Sequence, residues 1–182
     1  YGLLEWPIKK LREDSFFSVA EWNLWGAPPE QAVQVVGIKL CESRPDLVIL
    51  LGDRFEIMGA ALACHLQRVP IAHIAGGDVT EGSYDDAMRD AISRMATIHF
   101  VTSTSAMARL SAAGYRNVHL VGNPGVDYIR HAPWRGGRPY PHAYVVVAYY
   151  PETIDGTIDL ESVEKAIAGR EAIWIKCNPD RG

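Results

Sequence analysis

The sequence of 182 residues has little cysteine, no long apolar run and no excess of basic residues. Its three cysteines show no CxxC spacing, which argues against a disulfide framework and favours the cytoplasm as the location. No apolar run approaches the roughly 20 residues of a membrane span, so we expect no membrane partner. The formal net charge is -4 and the basic residues are scattered, so we expect no nucleic-acid partner.

Motifs for common cofactors and nucleophiles are also missing from the sequence. There is no GxGxxG after a predicted strand, no GxxxxGK[ST] and no GxSxG. This excludes the usual signatures of a dinucleotide site, a P-loop and a serine hydrolase. The histidines and cysteines form no cluster with metal-ligand spacing, which argues against zinc. The Asp residues could hold Mg²⁺, but nothing in the sequence requires it, so we expect neither a metal nor another cofactor.

What is present is a regular alternation of apolar runs and helical patterns. The runs predict buried strands at about Leu47–Leu51, Ile71–Ile74, Ile98–Val101 and Val118–Val121. Strands that alternate with helices predict a parallel α/β sheet. Residues 131–143 are rich in Pro, Gly and Arg and indicate a linker. We therefore expect a Rossmann-like domain in residues 1–130, incomplete in this chain, and the truncated start of a second in 144–182.

Polar residues concentrate directly after the predicted strands: Asp53 and Arg54, then Gly76, Gly77 and Asp78, then Asn123. Because the carboxyl ends of parallel strands share one edge of the sheet, we expect these residues at one edge. Glu81, Asp85 and Asp86 follow shortly afterwards, the last two in the first turn of a predicted helix. Several acids at one edge indicate a site that handles protons or a polyhydroxy ligand.

Simpler interpretations stay open for individual residues. Asp85 and Asp86 could serve only the dipole of their helix, and Gly76 and Gly77 could be turn residues. His73 lies inside an apolar strand, where a hydrogen-bonded core histidine is as common as a catalytic one.

The helical pattern of residues 56–67 is apolar around most of its circumference. Met58, Leu62 and Leu66 are spaced for one face, which we expect to pack beneath the sheet, with a homodimer interface as the alternative. Cys41 and Cys64 lie in similar apolar patterns and are expected in the core.

The stretches "LGDRFE", "PIAHIAGGDVTEGSYDDAMRDAIS", "IHFVTS" and "VGNPGVD" resemble the hydrolysing UDP-N-acetylglucosamine 2-epimerases of the sialic-acid pathway. The resemblance runs from about Pro45 to Asp127. It implies a GT-B-like architecture (UDP-glycosyltransferase/glycogen phosphorylase type) of two Rossmann-like domains, the second binding nucleotide. It also implies a UDP-sugar substrate, which loses UDP and its C2 proton to give a glycal. Hydration of the glycal then releases N-acetylmannosamine.

By position, the resemblance implies that Asp53 and Asp85 are catalytic acids, with Asp78 or Glu81 as a further acid. The implied substrate-binding residues are Gly2, Arg54, His73, Gly76, Gly77, Asp86, Arg89, Asn123, Tyr150 and Asn178. Tyr150 stands where the family carries His. A non-catalytic UDP-sugar-binding relative or a GT-B glycosyltransferase is the alternative function.

Overall fold

The computed structural model describes residues 4–131, 136–137, 141–149 and 160–176. By their contacts the residues group into two compact units. The first lies within Tyr1–Thr80 and Asp85–Ala132, and the second within Glu81–Tyr84 and Pro133–Gly182.

Helices and strands follow one another along the described chain. In chain order they are α1 (Glu5–Glu13), α2 (Pro29–Ser43), β1 (Val48–Leu51), α3 (Phe55–Leu66), β2 (Ile71–Ile74), α4 (Asp85–Met95), β3 (Ile98–Val101), α5 (Thr104–Ala112), β4 (Val118–Leu120), α6 (Pro124–His131), β5 (Val145–Tyr149), α7 (Leu160–Ile167) and β6 (Ala172–Lys176).

The first unit is built on a four-stranded sheet in the order β1-β2-β3-β4, and every neighbouring pair is parallel. This confirms the predicted parallel α/β sheet, but the predicted burial of β4 is wrong, since β4 lies at an edge of the sheet and its Leu120 is 47% exposed. Strands β2 and β3 have the predicted bounds, whereas β1 begins one residue later and β4 ends one residue earlier than predicted. Because consecutive strands are also neighbours in the sheet, right-handed crossovers place α3, α4 and α5 on one face.

The core lies between this face of the sheet and its helices. Its buried members come from α2, the sheet, α3 and α4, and include Val36, Leu40, Leu50, Ala60, Cys64, Ile71 and Ile92. Helices α2 and α3 approach each other at Gly59, where a Cβ would lie only 2.5 Å from the carbonyl oxygen of Pro29. The absence of a side chain at Gly59 therefore sets the distance between these two helices.

Two side-chain predictions for the helices are wrong. Cys41 is exposed, because the buried stripe of α2 runs along Ala32, Val36 and Leu40. Of the predicted α3 face, Met58 packs against the core, whereas Leu62 and Leu66 are 38% and 67% exposed, because α3 turns its small residues toward the core instead. Cys64 is buried as predicted.

The second unit contains a strand, a helix and a strand among its described residues. Strands β5 and β6 pair in parallel from Val145 opposite Ala172 to Tyr149 opposite Lys176, and α7 lies between them in the chain. In the described part of the protein, no helix combines the length and the apolar character needed to cross a membrane.

Candidate active site

The site begins where β1 ends. Gly52 follows the strand with a φ of +80°, a backbone conformation that favours glycine. Its N–H donates to the carbonyl oxygen of Ile74 at the end of β2, at 3.1 Å. Asp53 comes next, so its carboxylate stands at the carboxyl edge of the sheet, as predicted from the order of elements.

Arg89 of α4 connects the polar groups at this edge. Its guanidinium donates to Oδ2 of Asp53 and, at 2.5 Å, to Oδ1 of Asp86. It also donates to the carbonyl oxygen of Asp78 at 2.7 Å and to the hydroxyl of Thr80 at 3.3 Å. One cation thus joins the loops after β1 and β2 to the first turn of α4.

The cluster is buried on the side of the cation and more open on the side of the acids. The Arg89 side chain is 9% exposed, whereas those of Asp53 and Asp86 are 20% and 28% exposed. Charge-assisted bonds to a guanidinium hold carboxylates in a defined geometry. The arrangement therefore presents oriented, accessible carboxylates, which suits proton transfer to or from a bound ligand.

Asp86 accepts hydrogen bonds from the backbone as well as from Arg89. The backbone N–H of Thr80 lies 3.1 Å from both oxygens of its carboxylate. Asp85 precedes it in the first turn of α4, where both carboxylates are favoured by the helix dipole.

Asp78 is held by side chains that follow β3. The hydroxyl of Thr102 lies 2.7 and 2.9 Å from its two carboxylate oxygens, and that of Ser103 lies 3.5 Å from one of them. Ser103 also caps α5, because its hydroxyl accepts from the N–H of Ala106. The Asp78 carboxylate thus fastens the loop after β2 to the start of α5.

The glycine pair before Asp78 permits close packing. A Cβ at Gly76 would lie 2.7 Å from Oγ of Ser93, and a Cβ at Gly77 would lie 2.9 Å from Cγ of Leu110. Gly77 also has a φ of +79°, and its carbonyl oxygen accepts from Arg109. Both residues are therefore small for packing reasons, in addition to any turn that they form.

His73 is fully buried, with both ring nitrogens within hydrogen-bond distance of a protein partner. Nε2 lies 2.8 Å from the carbonyl oxygen of Gly52, and Nδ1 lies 2.9 Å from the hydroxyl of Ser93. Burial lowers the pKa of His73 to about 4, so the ring is neutral near pH 7.

Arg54 is oriented by neighbours of its own. Its Nε donates to Oε1 of Glu56 at 2.7 Å, and its guanidinium lies 4.5 Å from the ring centroid of Trp25. Glu56 is 2% exposed, and within the described residues its Oε2 has no hydrogen-bond partner. The buried carboxylate and the aromatic ring keep Arg54 close to the end of β1.

The remaining predicted residues lie in other settings. Glu81 is exposed in a turn that groups with the second unit. Asn123 is exposed, and its Oδ1 accepts from the N–H of Gly125 at 2.8 Å, which caps α6. Gly2, Tyr150 and Asn178 lie outside the described residues.

Three residues of the site were not predicted from the sequence. Thr80 binds both Arg89 and Asp86, Ser93 binds His73, and Thr102 binds Asp78. Thr102 carried a usable signal, since it directly follows a predicted strand at the same edge as Asp53. Ser93 lies one helical turn after Arg89, but nothing in the sequence distinguishes it from other helix serines.

Comparison with known proteins identifies the family. The sequence model described as UDP-N-acetylglucosamine 2-epimerase matches residues 31–181. The chain belongs to this family. It is 41% identical over 71 residues to the GDP/UDP-N,N'-diacetylbacillosamine 2-epimerase (hydrolyzing) of Campylobacter jejuni, a match that covers 39% of this chain and 18% of the relative. It is 28% identical over 156 residues to the UDP-N-acetylglucosamine 2-epimerase of Neisseria meningitidis, covering 78% and 41% respectively.

Solved structures of this family have the same fold. The UDP-GlcNAc 2-epimerase from Neisseria meningitidis bound to UDP-GlcNAc aligns with a TM-score of 0.64 at 18% identity, over 71% of this chain and 45% of that one. The enzyme from Methanocaldococcus jannaschii in complex with UDP-GlcNAc and UDP aligns with a TM-score of 0.61 at 15% identity, over 80% and 46%. The predicted GT-B-like fold class is thereby confirmed.

The chain spans less than half the length of these relatives.

Proposed function

We propose that the complete protein is a hydrolysing 2-epimerase of a UDP-N-acetylhexosamine, either UDP-N-acetylglucosamine or a modified form of it. The observation that carries the proposal is Asp53, an accessible carboxylate held by Arg89 at the carboxyl edge of a parallel sheet. Family membership and two relatives named as hydrolyzing diacetylbacillosamine 2-epimerases support the reaction class.

The reaction needs a group that removes one proton and a group that returns one. In the first step a base takes the C2 proton while the bond from C1 to the UDP oxygen breaks, giving a glycal and UDP. In the second step water adds its hydroxyl to C1, and an acid delivers a proton to C2 on the opposite face. Carboxylates that are held in place but open to a ligand suit both transfers.

Asp53 and Asp85 are our candidates for these two roles. Asp53 is fixed by Arg89, and Asp85 lies at the N-terminus of α4, where a carboxylate is favoured by the helix dipole. Asp78 has both oxygens bonded by Thr102, so within the proposal it orders the loop, and Glu81 remains an alternative acid.

Substrate contacts form the second part of the proposal. Arg54, Asn123 and Asp86 lie near strand ends or helix starts of the first unit, and Gly2, Tyr150 and Asn178 are proposed from the family resemblance. Solved structures of relatives hold UDP-GlcNAc or UDP, which supports a UDP-sugar as the ligand. We also propose two Rossmann-like domains, in residues 1–130 and 144–182, joined by residues 131–143.

The proposal also covers the cellular location, the pathway and the oligomeric state of the enzyme. The scarcity of cysteine supports a cytoplasmic location, and the family resemblance supports a role in making sialic-acid-type sugars. A homodimer through Leu62 and Leu66 of α3 is also proposed, because both are exposed large apolar side chains. Sedimentation of the complete protein as a monomer at micromolar concentration would remove the dimer.

The test is incubation of the complete protein with UDP-N-acetylglucosamine in deuterated water, followed by NMR. We expect UDP, free N-acetylmannosamine and deuterium at C2 of the product. Asp53→Asn should lower kcat by about 10² to 10⁴ because an amide cannot exchange the proton. Asp46→Asn is the matched control, since Asp46 is an exposed acid before β1 and should leave kcat unchanged.

Three other outcomes would reject the proposal in different ways. Binding of UDP without turnover of UDP-N-acetylglucosamine or UDP-diacetylbacillosamine would identify a non-catalytic relative. Transfer of the sugar to an acceptor would identify a glycosyltransferase. Equal turnover of the Asp53→Asn and Asp46→Asn proteins would show that Asp53 is not a catalytic residue.

A further inference from the structure

His73 touches two elements that carry the candidate site, although its ring is fully buried. A carbonyl oxygen can only accept, so the bond to Gly52 requires a proton on Nε2. In the neutral ring Nδ1 is then an acceptor, and the hydroxyl of Ser93 donates to it. This assigns the Nε2–H tautomer and a fixed direction to both bonds.

The first bond controls the backbone that leads to Asp53. The carbonyl of Gly52 and the N–H of Asp53 belong to one planar peptide unit. The N–H of Gly52 is bonded to Ile74, and its carbonyl is bonded to His73, so both polar groups of Gly52 are tied to β2. The orientation of the peptide unit between Gly52 and Asp53, which includes the Cα of Asp53, is therefore set by β2.

The second bond controls the helix that carries Arg89. Ser93 lies four residues after Arg89 on α4, so the two side chains project from the same face of the helix. Ser93 is fully buried, and its hydroxyl binds the imidazole of His73. The same ring thus touches the loop of Asp53 and the helix whose guanidinium binds Asp53.

Gly76 is the third part of this arrangement. A Cβ at that position would lie 2.7 Å from Oγ of Ser93 and 2.9 Å from Nδ1 of His73. Such distances are shorter than van der Waals contact, so any side chain would push the two bonded groups apart. The glycine in the "AGGD" stretch leaves the room that this hydrogen bond needs.

We propose that His73 is a positioning residue, which sets the Asp53 carboxylate against the Arg89 guanidinium through Gly52 and Ser93. The inference rests on the proposed function, in which Asp53 exchanges a proton with the substrate. It differs from a purely structural histidine, whose loss would lower stability without acting specifically through Asp53.

The chain offers a matched control in His99. This residue is the register partner of His73 on the neighbouring strand and is also buried. Its Nδ1 has no hydrogen-bond partner within the described residues, and its ring packs edge-on against Tyr115. Substitution of His99 therefore disturbs the same layer of the sheet without cutting a bond to the site.

The test compares His73→Asn, His73→Gln and His99→Asn in the complete protein. Asparagine is too short to reach Gly52, so kcat should fall about 10- to 100-fold, as expected for a misplaced catalytic group, with the Kd for UDP unchanged. Glutamine places an N–H near the position of Nε2 and should restore part of kcat. His99→Asn should keep the wild-type kcat per folded molecule, and equal losses in the two Asn variants would overturn the proposal.

A double-mutant cycle tests the route through Asp53. In an Asp53→Asn background, His73→Asn should change kcat by less than about twofold, because residues that act as a unit are not additive. A full multiplicative loss would also overturn the proposal.

NMR separates this inference from the proposed function. If the complete protein turns over no UDP-sugar, the proposed function fails, and the ring nitrogens of His73 still report the geometry. We expect the Nε2–H tautomer, and a shift of the Asp53 amide signal in His73→Asn that is absent in His99→Asn. An Nδ1–H tautomer or an unmoved Asp53 signal would refute the positioning role.

Discussion

The neutral, buried state of His73 predicts a loss of stability at mildly acid pH. Burial is the main reason that its pKa falls to about 4, and the nearby charges of His99 and Arg89 act in the same direction, while the Gly52 carbonyl and Asp53 oppose the fall. In the unfolded chain a histidine titrates near its ordinary value of about 6.5. Between these two values the unfolded state binds more protons, so stability decreases as the pH falls through this window.

The size of the effect follows from the two pKa values. Each pKa unit corresponds to about 1.4 kcal/mol. Between about pH 7.5 and about pH 5, His73 alone should remove about 2 kcal/mol from the free energy of unfolding. Because small domains are stable by about 5 to 15 kcal/mol, this loss is measurable.

The assay is urea unfolding followed by tryptophan fluorescence, for which the chain has five tryptophans. His73→Gln cannot titrate, so its stability should depend less on pH than that of the wild type, by about 2 kcal/mol over the same range. His99 also has a pKa lowered by burial, and its charge lowers the pKa of His73, so the difference between the two proteins includes the interaction of the two rings.

Parallel pH profiles of the two proteins would refute this reasoning. If His73→Gln does not fold, an NMR titration of the wild-type ring gives the same test. The ring signals should keep their neutral positions down to at least about pH 5. Protonation near the ordinary value of about 6.5 would show that the buried ring is readily charged.

Two further predictions concern packing and charge in the first unit. Gly59→Ala should destabilise the protein by about 1 to 3 kcal/mol, because the new Cβ would meet the Pro29 carbonyl oxygen at 2.5 Å. Gly37→Ala on α2 is the matched control, since its new Cβ would meet only a flexible glutamine amide, at 3.4 Å. This substitution should raise the free energy of unfolding in urea by up to about 1 kcal/mol. Arg89→Gln should cost about 2 to 3 kcal/mol, less than a fully buried ion pair, because water can reach the two carboxylates it leaves. An unchanged urea midpoint would show that the Arg89 ion pairs contribute no net stability.

Local patterns determined the sheet and the edge at which the site lies. The runs that became β2 and β3 are each apolar at three of their four positions, and short links left little choice of topology. The prediction that Asp53 and Asp78 follow neighbouring strands needed only this order. The family resemblance likewise rested on contiguous residues, and the match over residues 31–181 confirmed it.

Tertiary structure decided which groups meet at that edge. Arg89 and Asp53 are 36 positions apart, and their pairing depends on how α4 lies against the sheet. The sequence of β2 did not decide whether His73 is a core histidine or a catalytic one, because an apolar neighbourhood suits both equally. Its partners, Gly52 and Ser93, come from two other elements.

The orientation of the helices was also a tertiary outcome. The sequence of α3 is apolar nearly all round, so periodicity could not say which face it buries. Close approach to α2 at Gly59 selected the small residues and left Leu62 and Leu66 exposed. Strand order is determined by local pattern and chain connectivity, whereas side-chain partners depend on distances between elements that no single segment encodes.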